Sequence, residues 1–480
     1  MKANRRAELG TILFISALIG VIACSSQSLW IDEAWIAWLA SAPSIAGWWQ
    51  RLQEISGSTL QMPFYASYLW VWEKAAGESE WALRAGNIPW LLVAQYALYR
   101  AGRRTAVNPL PLVAVTLVYP FLWYYLDEAR PYMMQFAASS LTICGLAGIL
   151  SPEGSRRSDR WCMVAGMLLL AGSSMLGAAW AGSALLAWLL IQIRRRAAPD
   201  LWPSVAAAIG LTGLATYYVW TLRSGARGTT AGTMRPENLL FALFELFGFT
   251  GLGPSRLEIR ANGLASFPVY LWLVLPLGAV TLIVLFAATQ LLRSQVNRER
   301  LLTGATYGLV AAFVVTLLGI ATKFRLLGRH FTPLAPVVCI VLAIGLTQIW
   351  RTRWRMVAAP FALLWICSCA LLRFSPHHQK DDYRSAAAEA RRALAQEKVV
   401  WWSADRAAGR YYGLPIDKAD AQFRVVINAI PADLEKLPPA DVVFASKPDL
   451  YDSFAALDAF LRARRYQRVG SFAAFSVWRR

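Results

Sequence analysis

Two pairs of adjacent acids and a run of cations stand at the ends of apolar segments, where charge is costly. Asp32 and Glu33 lie in "SLWIDEAWIAWLASAP" (28–43), directly after the first apolar segment and between tryptophans that mark an interface level. Asp127, Glu128 and Arg130 lie in "YPFLWYYLDEARPYMMQF" (119–136), and Lys323, Arg325, Arg329 and His330 in "TKFRLLGRHFTPLAP" (322–336). Each group alone has a bland reading. An acid near a helix start is favoured by unpaired amides, and flanking charges are common beside spans. Together, carboxylates and guanidinium groups in one cavity could deprotonate a hydroxyl and hold a phosphate leaving group. Neighbouring helical residues point about 100° apart, so Asp32 and Glu33 must do different jobs. One can face a cavity while the other holds backbone or a neighbour. A lone histidine such as His330 is more often structural than catalytic.

The elements that must position these groups are membrane helices. The chain of 480 residues is 57% hydrophobic and 16% charged. Apolar runs near bilayer length recur, and soluble domains rarely look like this. The net charge of +19 does not point to nucleic acid, because the basic residues cluster in short loops between apolar runs. The six cysteines sit in apolar runs without metal-ligand company and read as small buried hydrophobes. The amino-terminal segment reads as the first span, not a cleaved leader.

Spans are expected at 8–25, 85–100, 107–125, 131–150, 161–178, 179–193, 204–222, 268–292, 301–321, 331–350 and 356–373, about eleven in all. With the amino terminus cytoplasmic, the basic clusters at 102–105, 155–160, 194–196, 293–300 and 351–355 all fall inside. That agreement makes 62–76 a helix lying in the outer interface instead of a span. The outer loops are then 26–84, 126–130, 223–267 and 322–330, and "PENLLFALFELFGF" in the third is an amphipathic surface stretch. Residues 1–373 form the transmembrane domain. Residues 374–480 are less apolar and alternate helix-like and strand-like patterns, which predicts a small extracytoplasmic α/β domain. Nearly all the spans lack charges in their interiors, against the needs of a transporter.

The motifs resemble the C-type (GT-C) glycosyltransferases that use polyprenyl-phosphate sugars, in particular the bacterial branch related to protein mannosyltransferases and the lipid A aminoarabinose transferase. An "LW-x-DE" motif is matched by Leu29, Trp30, Asp32 and Glu33, and a "P-x-Y" element by Pro63 and Tyr65. A turn pattern is matched by Gly77, Glu78, Ser79, Leu83 and Arg84, and "EARPY" by Glu128 to Tyr132. Arg329, His330, Pro333 and Pro336 match "R-Y/H-x-x-P-x-x-P". The chain departs from the family at Gln61 and Met62, where His-Pro is usual, and at Asp127, where Gln commonly stands.

The resemblance implies a polytopic all-α membrane enzyme with juxtamembrane helices in a bacterial inner membrane, its carboxy-terminal domain periplasmic or extracellular. A hexosyl or pentosyl group would move from a polyprenyl-phosphate donor to an extracytoplasmic glycan, lipid or protein acceptor by a single inverting displacement. Asp32 would be the general base, with Glu33 behind it. Asp127, Glu128, Arg130, Tyr132 and Tyr65 would shape the acceptor cavity. Arg329, then Lys323, Arg325 and Arg84, with His330 beside them, would bind the donor phosphate. No cofactor is required by this scheme, although paired acids could take Mg²⁺ or Mn²⁺. Three other readings stand beside it: a polysaccharide polymerase or ligase using a diphosphate-linked chain, a lipid or solute transporter, and a non-catalytic membrane scaffold. The transferase reading requires Asp32, Glu128 and Arg329 to meet in one pocket.

Overall fold

The computed structural model describes residues 2–55, 58–105, 108–151, 154–195, 201–223, 234–295, 298–352, 355–418 and 420–480. Part of the 223–267 loop and parts of the basic clusters at 194–196, 293–300 and 351–355 lie outside the described residues. The chain divides into two compact units. The first comprises Met1–Ser25, Leu52–Leu69 and Arg84–His378; the second comprises Ser26–Arg51, Trp70–Leu83 and Gln379–Arg480.

The first unit is a helical bundle. Among the described residues, eight helices are long and apolar enough to cross a bilayer: Arg5–Ala23, Tyr132–Ile149, Met175–Arg195, Leu201–Arg223, Pro268–Gln290, Leu302–Ala321, Gly328–Trp350 and Arg355–Phe374. A ninth arises if Pro109–Leu117 and Pro120–Leu126, bent by 56°, count as one broken span. The bend has a local cause. Pro120 disfavours helical backbone in the residue before it, and Tyr119 is accordingly extended (φ −83°, ψ 111°).

Each of the eleven expected spans is helical, and two of them fall short of that length or apolarity because they carry charge at one end. The segments expected at 85–100 and 161–178 are helices, Ile88–Thr105 and Arg157–Ser173. The first carries Arg100, Arg103 and Arg104 in its last turns; the second has 17 residues and opens on Arg157, Asp159 and Arg160. Their charges close a lock at one end of the bundle. Arg100 donates to Asp159 at 2.7 Å and Arg104 donates to it at 3.0 Å, and Asp159 is wholly buried. Two guanidinium groups compensate the buried carboxylate, which alone would be strongly unfavourable. The lock packs against Tyr132–Ile149, where a side chain at Gly148 would collide with the Asp159 carboxylate. The segment 62–76 forms the helix Pro63–Ala76, whose 14 residues are too few to span.

The second unit centres on a five-stranded sheet of order β2-β1-β3-β5-β4. Its strands are β1 (Val400–Ser403), β2 (Phe423–Val425), β3 (Val442–Ser446), β4 (Gln467–Phe472) and β5 (Phe475–Arg479). The first three run parallel, while β5 pairs antiparallel with β3 and β4 antiparallel with β5. The helix Tyr383–Ala395, capped by Asp382, turns Ala386, Ala387, Ala390 and Ala393 inward. The parallel strands are those expected from "KVVWW", "FRVVINAI" and "DVVFAS". The β4–β5 hairpin was not expected, because its turn at Ala473–Ala474 has no Asn-Gly or Asp-Gly signal. Instead Ala474 adopts a positive φ of 66°. The helix Ile31–Ala40 belongs to this unit and packs on the short helix Arg406–Tyr411.

Candidate functional site

In the first unit, the acids and the arginine of 119–136 lie in the tight turn between Pro120–Leu126 and the helix Tyr132–Ile149. Asn87 fixes that turn. Its side-chain amide donates to the carbonyls of Tyr125 (3.4 Å), Leu126 (3.1 Å) and Glu128 (2.5 Å). Asp127 accepts from the Ser25 amide at 2.5 Å and from its hydroxyl at 2.8 Å. The wholly buried Arg84 donates to the Ser25 carbonyl at 3.0 Å and stands 3.8 Å from Asp127. Asp127 and Arg84 thus brace the end of the first span.

Glu128 points elsewhere. It is wholly buried, and its carboxylate lies 3.4 Å from the Arg256 guanidinium. Arg256 also donates to Glu245 at 2.9 Å and to the Tyr125 hydroxyl at 2.8 Å, with its guanidinium 3.8 Å from the centre of the Tyr124 ring. The Arg256 side chain is partly exposed, at 30%. Stacking on an aromatic face and forked donation to carboxylates are what arginine does better than lysine. Tyr132 closes one wall, its ring centroid 4.7 Å from that of Tyr125. The turn Gly328–Leu334 comes in beside the same acids, since a side chain at Gly328 would collide with the Glu245 carboxylate. Arg329 and Arg325 are half-buried, and Lys323 is exposed at a positive φ of 54° just past the span Leu302–Ala321.

Two expected site residues have local partners that define them. His330 accepts from the Leu327 amide at Nδ1 (3.0 Å) and closes its own turn. Arg130, buried, reaches the hydroxyls of Ser58 (3.4 Å) and Thr59 (3.5 Å). Tyr65 is buried with its ring centroid 6.3 Å from that of Tyr68. The structure thus gathers Arg84, Asp127, Glu128 and Tyr132 around the acid turn, with the backbone of Gly328 alongside. Sequence reasoning missed Asn87, Glu245 and Arg256. Asn87 carries a readable signal, an Asn just before Ile-Pro at a helix start. Arg256 follows Ser255, which with Glu258 forms a capping box.

Asp32 and Glu33 lie in the second unit. The helix Ile31–Ala40 starts with both acids in its first turn, the favoured end for negative charge. Glu33 is wholly buried, accepts from the Trp30 amide at 3.4 Å and pairs with Lys380 at 3.6 Å. Asp32 is half-buried. One turn on, the Trp35 indole donates to Asp405 at 3.2 Å. Burial pushes the Asp405 carboxyl up to about 6; the charge of Asp32 adds to that rise, while the Ala408 amide and Trp35 indole oppose it. A second buried pair, Lys447 with Asp381, stands near Trp30, with the ammonium 5.9 Å from the ring centre. Lys380 and Asp405 were also missed, because they lie some 350 residues away from the motif they serve. Among the described residues, no group of three His, Cys, Asp or Glu side chains is arranged to hold a metal ion.

No protein-family model matches the chain, and no curated protein matches it by sequence. By structure it is similar to ArnT from Cupriavidus metallidurans in the apo state, with TM-score 0.53 and 13% identity over 99% of this chain and 98% of that one. It is equally similar to ArnT from the same organism bound to undecaprenyl phosphate, with TM-score 0.53 and 14% identity over 98% of both chains. The likeness covers the helical bundle and the carboxy-terminal sheet unit alike, so the chain has the fold of the GT-C membrane glycosyltransferases, to which ArnT belongs.

Proposed function

We propose that the chain is a membrane glycosyltransferase that moves a sugar from a polyprenyl-phosphate donor to an extracytoplasmic acceptor. The observation that carries this reading is the partly exposed Arg256, held among Glu128, Glu245 and Tyr125 in a fold shared with a protein whose bound form contains undecaprenyl phosphate.

In the proposed step an acceptor oxygen attacks the anomeric carbon. The new carbon–oxygen bond forms as the bond from that carbon to the phosphate oxygen breaks, with inversion. The acceptor proton passes to Asp32, and the lipid leaves as its monophosphate. Negative charge develops on the leaving oxygen, so fixed cations aid the transition state more than the ground state. Arg256 and Arg329 take that role, with Arg325 and Lys323 beside them. Glu128 and Glu245 hold Arg256 until the phosphate competes for it. Arg84, Asp127 and Arg130 brace the acid turn, Tyr65 and Tyr132 form walls, and Glu33 holds the Asp32 helix through Trp30 and Lys380. The scheme uses no metal. It places the protein in a bacterial inner membrane with its amino terminus cytoplasmic and its carboxy-terminal unit outside.

Purified protein incubated in EDTA with radiolabelled undecaprenyl-phosphate aminoarabinose, mannose or glucose and an envelope extract tests this. Label should enter the extract as undecaprenyl monophosphate appears. Release of a diphosphate lipid instead would assign the chain to polymer ligation, and absence of any release from the three donors would reject the transferase reading.

A further inference from the structure

Asp405 opens the short helix Arg406–Tyr411, yet its carboxylate does more than cap it. One oxygen accepts from the Ala408 amide at 2.8 Å, as a cap requires. The other accepts from the Trp35 indole at 3.2 Å and lies 3.5 Å from the Tyr451 hydroxyl. A serine or asparagine would cap as well without charge. A carboxylate only 6% exposed is costly to keep, and capping does not explain it. Trp35 follows Asp32 by three residues on the helix Ile31–Ala40, so the two side chains share a face. The groups facing Asp405 are Asp32 from that helix, Tyr383 from Tyr383–Ala395 and Tyr451 from Pro448–Tyr451. The Asp381–Lys447 ion pair stands beside the two tyrosines.

Resting on the reading of Asp32 as the base, we propose that Asp405 is a positioning residue for Asp32, holding through the Trp35 indole the helix face that bears it. Residues of the carboxy-terminal segment then serve catalysis by holding the helix of their own unit that bears the base. The ionised carboxylate offers separate oxygens to the Ala408 amide and the indole. A proton occupies one of them and forces a choice between the two bonds. Positioning weakens as the pH falls through about 6, where the carboxyl takes up its proton and offers one strong acceptor oxygen in place of two.

The test compares kcat, donor KM and pH profile for Asp405→Asn, Trp35→Phe, their combination and wild type, with the three labelled undecaprenyl-phosphate sugars and envelope extract. Each single variant should lower kcat by about 10-fold with little change in KM, and the combination should lose no more than either alone. Trp35→Phe leaves the cap intact, so its loss cannot come from unfolding of the short helix. Asp405→Asn should also remove the wild-type fall in kcat near pH 6. Asp458→Asn, at an exposed pair with Arg462, should behave as wild type. Wild-type kcat and pH profile in both Asp405→Asn and Trp35→Phe, with Asp32→Asn inactive, would overturn this proposal alone. Full activity in Asp32→Asn, or none in wild type, would overturn the proposed function and this inference with it.

Discussion

At the scale of single residues, the sequence showed which groups are chemically expensive but not which partners they take. Glu128 and Asp127 are adjacent, yet Asp127 braces Ser25 and Arg84 while Glu128 pairs with Arg256. Motif spacing made both acids visible. It could not reveal Arg256, because that pairing crosses 128 positions of chain and depends on where a loop returns. The division of labour sets an expectation for Arg256→Gln. Losing the cation should raise donor KM and lower kcat, by about 100-fold in kcat/KM. It should also remove one compensating charge from the buried Glu128 and lower the thermal inactivation temperature. Steady-state kinetics over a donor series, beside a thermal inactivation curve, check both. Unchanged donor dependence would remove Arg256 from the phosphate role.

At the scale of elements, helices were legible wherever apolar periodicity ran unbroken, but the pairing of the charges buried inside the bundle was not. Hydropathy treats Arg100, Arg104 and Asp159 as three unfavourable residues, whereas the fold makes them one compensated cluster. The β4–β5 hairpin escaped for a different reason, since its turn is built by two alanines and one positive φ. The same view of packed elements predicts opposite outcomes for two helical glycines. At Gly148 an added side chain meets Asp159, whereas at Gly182 nothing lies within 4 Å. Gly148→Val should destabilise by about 1–3 kcal/mol through overpacking. Gly182→Ala should be neutral or stabilising by about 0.5–1 kcal/mol, because it removes backbone freedom from the unfolded chain. Thermal inactivation in one detergent ranks the two; equal effects would contradict the packing described around the Asp159 lock.

At the scale of the whole molecule, composition and hydropathy were enough to read a polytopic helical bundle with a small carboxy-terminal sheet unit, because both depend on sums over many residues. They could not show that residues 26–51 and 70–83 fold with that unit, since the grouping rests on long-range packing such as that of Ile31–Ala40 on Arg406–Tyr411. The proposed orientation follows from the basic loops. Reporter fusions after Arg195 and at the carboxy terminus should report cytoplasmic and external locations respectively. The same side for both, or the two locations exchanged, would contradict the topology on which the outer-face chemistry rests. The most direct test of the account compares wild type with Asp32→Asn for release of undecaprenyl monophosphate, with donor binding measured alongside. The expected result is release by wild type, loss of about 100-fold or more in the variant, and retained donor binding. Release at the wild-type rate by Asp32→Asn would contradict it.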